Sequence, residues 1–418
     1  MERLPGFRDF FPEPLPHTDV WSCDARQYIF DKWRSAARRY GFREYDGPPL
    51  EPLDLFTTKS GDEIVRQLYN FTDKGERQVA LRPEMTPTLA RMAAAHERNY
   101  KKPFKWFAIP QLFRYEKQQK GRLREHFQFN ADILGETDPA ADAELIALLV
   151  DTLRSFGLTA EDFWVRLSSR RAWQDFYASF QGDPAKAYDF YQAVDKLERE
   201  SPEVIDQKLQ AVGTSLAAVT QFIEAGAPTA ELKLILDNLA ARGMGDFVKV
   251  DYRVIRGLAY YTGPVFEAFD KKGEFRALAG GGRYDNLVKL ISGGKVDMSA
   301  LGFGMGDVVL FELLKSRGLL PKFDGALDVF VLVEDEALRS ESLQLIQQLR
   351  AAGFASDYAM TKAKADKQFK RAQDLGAART LKLERGPNGE MLAKIRNLST
   401  RKESVVSPDE VASALRTG

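Results

Sequence analysis

Residues 112–136 read LFRYEKQQKGRLREHFQFNADILGE. The second half of this stretch alternates cleanly. Phe127, Phe129, Ala131 and Ile133 fall on one face and Gln128, Asn130 and Asp132 on the other, which is the two-residue period of a strand. A polar strand face usually meets solvent. Solvent faces favour Lys, Glu and Thr, however, whereas amides and a carboxylate set among large aromatics suit the floor of a pocket for a small polar ligand. Periodicity alone leaves both meanings open. The first half is a basic loop joining two strands within residues 104–135, with Lys117, Lys120, Arg122 and Arg124 placed around Gly121. Such a run can be a solvated face, or a hairpin that holds phosphate through arginine's planar fork.

Upstream, TDVWSCDARQYIFDKWRSAARRYGF carries apolar residues at helical spacing from Trp21 to Tyr40, and Gly41 supplies a stop. YDGPPLEPLDLF is broken by prolines and fits only an edge strand or irregular chain. Downstream, Asp138 and Pro139 open a helix that runs through Leu145 to Phe156 and ends at Gly157. Residues from about 172 to 245 are polar and helical in pattern, and read as an insertion. Strand character resumes at FVKVDYRVI. RVIRGLAYYTGPVFEAF and AGGGRYDNLV follow, the second with three glycines in a row that let backbone or ligand approach closely. After PKFDG (321–325) the character changes. DVFVLVED reads as a buried strand, followed by a helix to Gly353, an ASDYAM strand, a basic helix, two more strands and a final helix capped by Ser407, Pro408 and Glu410. This alternation suggests a small separate α/β domain from residue 326 to 418, after a larger domain of residues 1–325.

Composition narrows the class. The chain has 418 residues, 44% of them hydrophobic, and 60 basic residues balance 60 acidic ones. A nucleic-acid surface would therefore have to be a local patch. One cysteine, Cys23, excludes an internal disulfide and a Cys-rich metal site, and three scattered histidines give no metal-ligand spacing. No signal peptide and no apolar run near the roughly 18 residues of a membrane span are present, so a cytoplasmic protein without a membrane segment is expected.

Several uncommon motifs occur here in one order: GFRDFFPE, FREYDGPPLE, LRPEMTPTLAR, the quoted stretch with its FRYE, RGLAYYTGPVFE, GGGRYDNL and LGFGMGDVVL. Over nearly its whole length the chain resembles histidyl-tRNA synthetase, a class II aminoacyl-tRNA synthetase. The resemblance implies an α+β fold: a six-stranded antiparallel sheet flanked by helices, a helical insertion, and a C-terminal α/β anticodon-binding domain. It implies ATP-dependent ligation of histidine to its tRNA through an adenylate, with ATP and Mg²⁺ entering as a substrate complex, no structural metal, and a homodimer.

Site roles follow from the same resemblance. Glu84 and Thr86 would hold the histidine α-amino group, Gln128 and Tyr261 would position the substrate, and Asp132 would accept a hydrogen bond from the imidazole with Tyr284 nearby. Arg114 would bind the ATP α-phosphate and the amino-acid carboxylate, with Arg256 on the opposite side of that phosphate. Glu116 and Arg122 would contact the nucleotide. Gln119 and Lys120 would approach the tRNA acceptor end, and Lys362, Lys364, Lys367, Lys370 and Arg371 offer a basic stretch in the C-terminal domain.

The chain departs from the family pattern mostly on the nucleotide side. Val309 stands where the third motif usually carries arginine, Ala259 replaces a usual Asp, and His126 lies where an adenine-stacking Phe is expected. Asp132 stands where Glu is more common. Two readings compete. One is a synthetase of a divergent branch, with His126, Arg122 or Arg124 taking over nucleotide contacts. The other is a non-charging, histidine-sensing paralogue, such as a synthetase-like regulatory subunit of ATP phosphoribosyltransferase. The retained arginines, basic loop and C-terminal domain favour the synthetase. An RNA-binding protein without catalysis is the distant third.

Overall fold

The alternating stretch forms a ten-residue strand, Glu125–Leu134, inside a large sheet. The computed structural model describes residues 2–12, 21–60, 62–115, 123–197, 200–255, 261–323 and 327–417, with backbone alone at 59, 60 and 62–64. In chain order the sheet's strands are β1 (Arg43–Glu44), β2 (Phe104–Ala108), β3 (Gln111–Phe113), β4 (Glu125–Leu134), β5 (Phe163–Ser169), β6 (Val248–Val250), β7 (Pro264–Asp270), β8 (Ala279–Arg283) and β9 (Ala300–Gly306). Their spatial order is β6-β5-β7-β8-β9-β4-β2-β1, and β3 adds to the start of β4.

The six strands from β5 to β2 are antiparallel throughout. The expected six-stranded sheet is thus present but extended among the described residues. β6 and β1 cover its two edges in parallel, and both are short. Short outer strands leave few backbone groups open to pairing with another chain.

One face of the sheet meets helices. Phe129 and Ala131 are 0% exposed and Ile133 is 2%, and they join a core with α1 (Cys23–Arg39) and α3 (Pro139–Arg154). Both helices start as their sequence signals require. The Ser22 hydroxyl accepts from the Ala25 N–H at 3.1 Å, and the Asp138 carboxylate accepts from the Ala140 N–H at 2.8 Å ahead of Pro139. Gly41 and Gly157 follow with φ of +78° and +91°, a region glycine enters without a side-chain clash.

The opposite face of β4 is not open to solvent. Asn130 is 5% exposed and Asp132 4%. A second, smaller core lies beside Asp132 and includes Trp106, Leu134, Tyr284 and Ala300, with Leu89 and Ala90 of α2 (Thr86–Ala95). The proline-broken stretch forms an edge strand, Leu50–Pro52, of a separate three-stranded sheet with Gln78–Leu81 and Asn70–Thr72.

The described residues between 170 and 241 include five α-helices, the last of which, Ala230–Ala241, packs on α3. Leu232, Ile235 and Leu239 of that helix enter the main core. Among the described residues, strand structure resumes only over three residues, Val248–Val250, less than the FVKVDYRVI pattern suggests.

Residues 1–321 and 322–418 form two compact units. The second has its own five-stranded sheet, in the order Ser356–Tyr358, Val329–Leu332, Arg379–Arg385, Met391–Asn397 and Glu403–Val406. The last of these strands was not anticipated from sequence, because its ESVV is short and carries no alternation, and only Val406 is partly buried. Helices Arg339–Ala351 and Val411–Thr417 share one core with this sheet, and Ala365–Asp374 belongs to another.

Candidate active site

Gly302, Gly304 and Gly306 of β9 stand opposite Asp132, Asn130 and Gln128 of β4. On the other side of β9, Gly302 and Gly304 pair with Gly282 and Gly280 of β8. Paired residues project to the same face of a sheet, so the centre of this face presents bare backbone. The space is needed. A Cβ on Gly302 would overlap the Asp132 carboxylate, and one on Gly304 would come within 2.7 Å of the Gln128 amide carbon. Glycine here turns the middle of a sheet into a hollow.

Two adjoining cavities occupy that hollow. The smaller, about 130 Å³, is lined by Glu84, Thr86, Gln128, Asp132, Tyr261 and Tyr284, and also by Arg114 and Asn130. These eight side chains arrive from five chain segments. Arg82, almost fully buried, fixes the first of them. Its guanidinium donates to the Gly47 carbonyl at 2.6 Å, to Asp46 at 2.9 Å and to the Gln111 carbonyl at 3.1 Å. Pro83, Met85 and Pro87 are buried, and the intervening Glu84 and Thr86 face the cavity. Tyr284 is placed by its N–H bond to the Ala300 carbonyl at 2.7 Å, and the Thr262 N–H donates to the Arg283 carbonyl at 2.8 Å beside Tyr261.

At the end of this cavity the Tyr284 hydroxyl donates to Asp132 Oδ1 at 2.5 Å. Burial pushes the Asp132 carboxyl up to about 7, and the Tyr284 bond draws it part of the way back. A carboxylate has about four acceptor positions, so Tyr284 leaves it able to receive an N–H from a ligand. With an acidic side chain, Glu84, and a guanidinium, Arg114, both in the lining, the cavity matches a small zwitterion with an N–H-bearing side chain.

The larger cavity, about 240 Å³, shares Arg114, Gln128, Gly280 and Gly304 with the first. Its remaining wall includes Leu123, His126, Arg276, Leu278, Val308 and Val309. The His126 imidazole is held down at about 3, first by burial and then by Arg114 and Arg8, so it is neutral at physiological pH. It offers a flat ring to a heterocycle. Beneath it, Arg8 reaches Glu125 at 2.7 Å and Asp307 at 2.9 Å, and Asp307 accepts from the Phe127 N–H at 3.0 Å. Burial raises the Asp307 carboxyl to about 6 against the pull of Arg8. This network ties the N-terminal segment, β4 and the start of α4 (Asp307–Ser316) together.

Glu116, Gln119, Lys120, Arg122 and Arg256 lie outside the described residues. Arg124 stacks over Tyr115 at 4.4 Å from the ring centre and lines neither cavity. Arg276 had no sequence signal, since it sits in an irregular turn with no period to expose it. Asn130 belonged to the polar face of β4, yet alternation could not distinguish it as a lining residue. Among the described residues, no group of three His, Cys, Asp or Glu side chains could hold a metal ion, and no helix is long and apolar enough to cross a membrane.

A family model described as histidyl-tRNA synthetase matches residues 22–306. The chain belongs to the histidyl-tRNA synthetase family. It is 44% identical to a histidine–tRNA ligase of Opitutus terrae, across 99% of this chain and 98% of that one. In fold it is similar to the histidyl-tRNA synthetase of Nostoc sp. PCC 7120, with a TM-score of 0.79, 21% identity, and 98% and 97% of the two chains covered. It is also similar to a Bacillus halodurans structure described as an ATP phosphoribosyltransferase regulatory subunit/histidyl-tRNA synthetase, with a TM-score of 0.71, 21% identity, and 89% and 96% covered. At that identity the two structures speak to fold alone. Within the histidyl-tRNA synthetase family pattern, Val309 is the departure with a visible consequence. It lines the larger cavity and packs against the main core, so an apolar wall stands where an arginine is usual.

Proposed function

We propose the following division of labour for a chain that, as a member of this family, is a ligase joining histidine to its tRNA. The smaller cavity takes histidine and the larger takes ATP, which enters with Mg²⁺ as a substrate complex. Glu84 and Thr86 hold the α-amino group. Asp132, oriented by Tyr284, receives the imidazole N–H, while Gln128 and Tyr261 fix the rest of the amino acid. Arg114 borders both cavities and bridges the histidine carboxylate and the α-phosphate. This sharing of Arg114 is the observation that carries the reading, because an adenylate forms only where those two groups meet.

In the first step a carboxylate oxygen of histidine attacks the α-phosphorus and pyrophosphate leaves. Two anions must be brought together, so fixed cations that neutralise charge in the transition state contribute most. Arg114 and Arg256 fill that role, and Glu116, Arg122 and His126 contact the nucleotide. In the second step the terminal ribose hydroxyl of tRNA attacks the adenylate carbonyl and AMP leaves, with an adenylate phosphate oxygen as proton acceptor. No histidine or cysteine nucleophile is required. Gln119 and Lys120 approach the acceptor end. Residues 1–325 form the catalytic domain, with the insertion at about 172–245, and 326–418 bind the anticodon. The protein works in the cytoplasm as a homodimer.

Histidine-dependent exchange of labelled pyrophosphate into ATP, with the other amino acids as controls, tests this directly. Exchange with histidine alone, followed by tRNA charging, is expected. Histidine binding without exchange would overturn the ligase reading and leave a histidine sensor. Arg256→Ala is expected to abolish most exchange while weakened histidine binding persists, and an unchanged rate would remove Arg256 from the chemistry.

A further inference from the structure

We propose that Arg276 grips the distal phosphates of the bound nucleotide and so supplies the cation that position 309 lacks. The inference rests on the assignment of the larger cavity to ATP. Arg114 and Arg276 are the two arginines among its described lining residues, and they differ in one respect. Arg114 also borders the smaller cavity, whereas Arg276 does not. Arg114 is therefore at the amino-acid end, where the α-phosphate reacts, and Arg276 acts on a part of the nucleotide away from that end.

The wall around them is mainly apolar or neutral: Leu123, Leu278, Val308, Val309 and the uncharged His126. Such walls accommodate a heterocycle but do nothing for a triphosphate. Val309 lies in the first turn of α4, whose N-cap, Gly306, makes no side-chain capping bond. The backbone N–H groups there add only a weak positive end to the cavity. Among the described lining residues Arg276 is the cation beside Arg114, and a guanidinium fork suits phosphate oxygens best.

The neighbours of Arg276 hold it on the cavity side. Phe275 packs against the main core. Leu278 is buried and its N–H donates to the Ala268 carbonyl at 2.8 Å. Arg276 itself is exposed. Arg276 thus lines the larger cavity from a turn anchored on both sides.

The test compares ATP with AMP, since AMP lacks the distal phosphates. Binding of both to the full chain is measured for the wild type, Arg276→Ala and Arg276→Lys, together with KM for histidine in the exchange reaction. Loss of a charge-assisted hydrogen bond predicts ATP binding weakened about tenfold or more in Arg276→Ala. AMP binding and the histidine KM should stay within about twofold, and Arg276→Lys should recover part of the ATP affinity because the charge remains. Unchanged ATP binding, or equal losses for ATP and AMP, would overturn the inference alone if the wild type exchanges pyrophosphate normally. A wild type that binds no ATP would overturn the functional reading and this inference with it.

Discussion

Asp132 shows how one carboxyl can be costly to the fold and useful to the site. Asp132→Ala removes the proposed acceptor for the imidazole, so histidine binding should weaken about a hundredfold while ATP binding changes little, the range for a buried charge-assisted bond. Equal losses of both ligands in a titration would argue against that contact. The pH dependence of the ligand-free protein follows from the raised value. Folding moves this carboxyl from 3.8 to about 7. The native state therefore binds a proton that the unfolded state has released between those limits, and the stability from this group falls as pH rises through them. Asp132→Asn removes the titration. It should raise the melting temperature relative to wild type at pH 8, with the gain fading towards pH 4, and a gain that grew on acidification would contradict the buried carboxyl. At this scale the sequence was informative about which residues gather. Glu84, Thr86, Gln128, Asp132, Tyr261 and Tyr284 meet at one cavity. Arg276 was illegible because nothing in KKGEFRAL marks which side chain turns towards a hollow made by other strands.

Among the elements, β8 and β9 matter for what they lack. Gly304→Ala would press only on the flexible Gln128 side chain, whereas Gly281→Ala would meet the Gly302 carbonyl and the Phe303 Cβ on the core side. The first should raise the histidine KM severalfold with little change in stability. The second should destabilise the fold by about 1–3 kcal/mol, the usual range for overpacking. Chemical denaturation beside steady-state kinetics separates the two, and a reversed pattern would place the glycines on the wrong faces. The network of Arg8, Glu125 and Asp307 makes a further prediction. Arg8→Ala would leave two buried carboxylates without their cation and should cost about 3–5 kcal/mol. Part of that loss should be relieved on acidification, beginning above pH 6, because Arg8 is what holds the Asp307 carboxyl down at about 6. The alternation of β4 disclosed both its faces from sequence, and the Asp138-Pro139 signal disclosed α3. The pairing partners were another matter: antiparallel neighbours 170 residues apart, such as Asp132 and Gly302, are set by packing that no local pattern records. The edge strand β1 was missed for its brevity, and β6 is shorter than its FVKVDYRVI pattern suggested.

For the molecule as a whole, neutral net charge confines any RNA footprint to patches. Lys362, Lys364, Lys367, Lys370 and Arg371 are all exposed, on and just before the helix Ala365–Asp374, while Gln368 between them is buried against Val333. Reversing Lys364, Lys367 and Lys370 to Glu should weaken tRNA binding and flatten its salt dependence by about one unit of log–log slope per lost phosphate contact. Pyrophosphate exchange, which needs no RNA, should stay at the wild-type rate. Binding with an unaltered salt slope would show that this face does not meet tRNA. One consequence of the glycine-lined floor reaches beyond any single variant. A floor built from main chain has nothing left to trim, so mutation there can only make the pocket shallower. A chain selected for a bulkier analogue of its amino acid would have to change at the walls, at Asp132, Tyr261 or Tyr284, and the floor would remain as a fixed limit on what that lineage can accept.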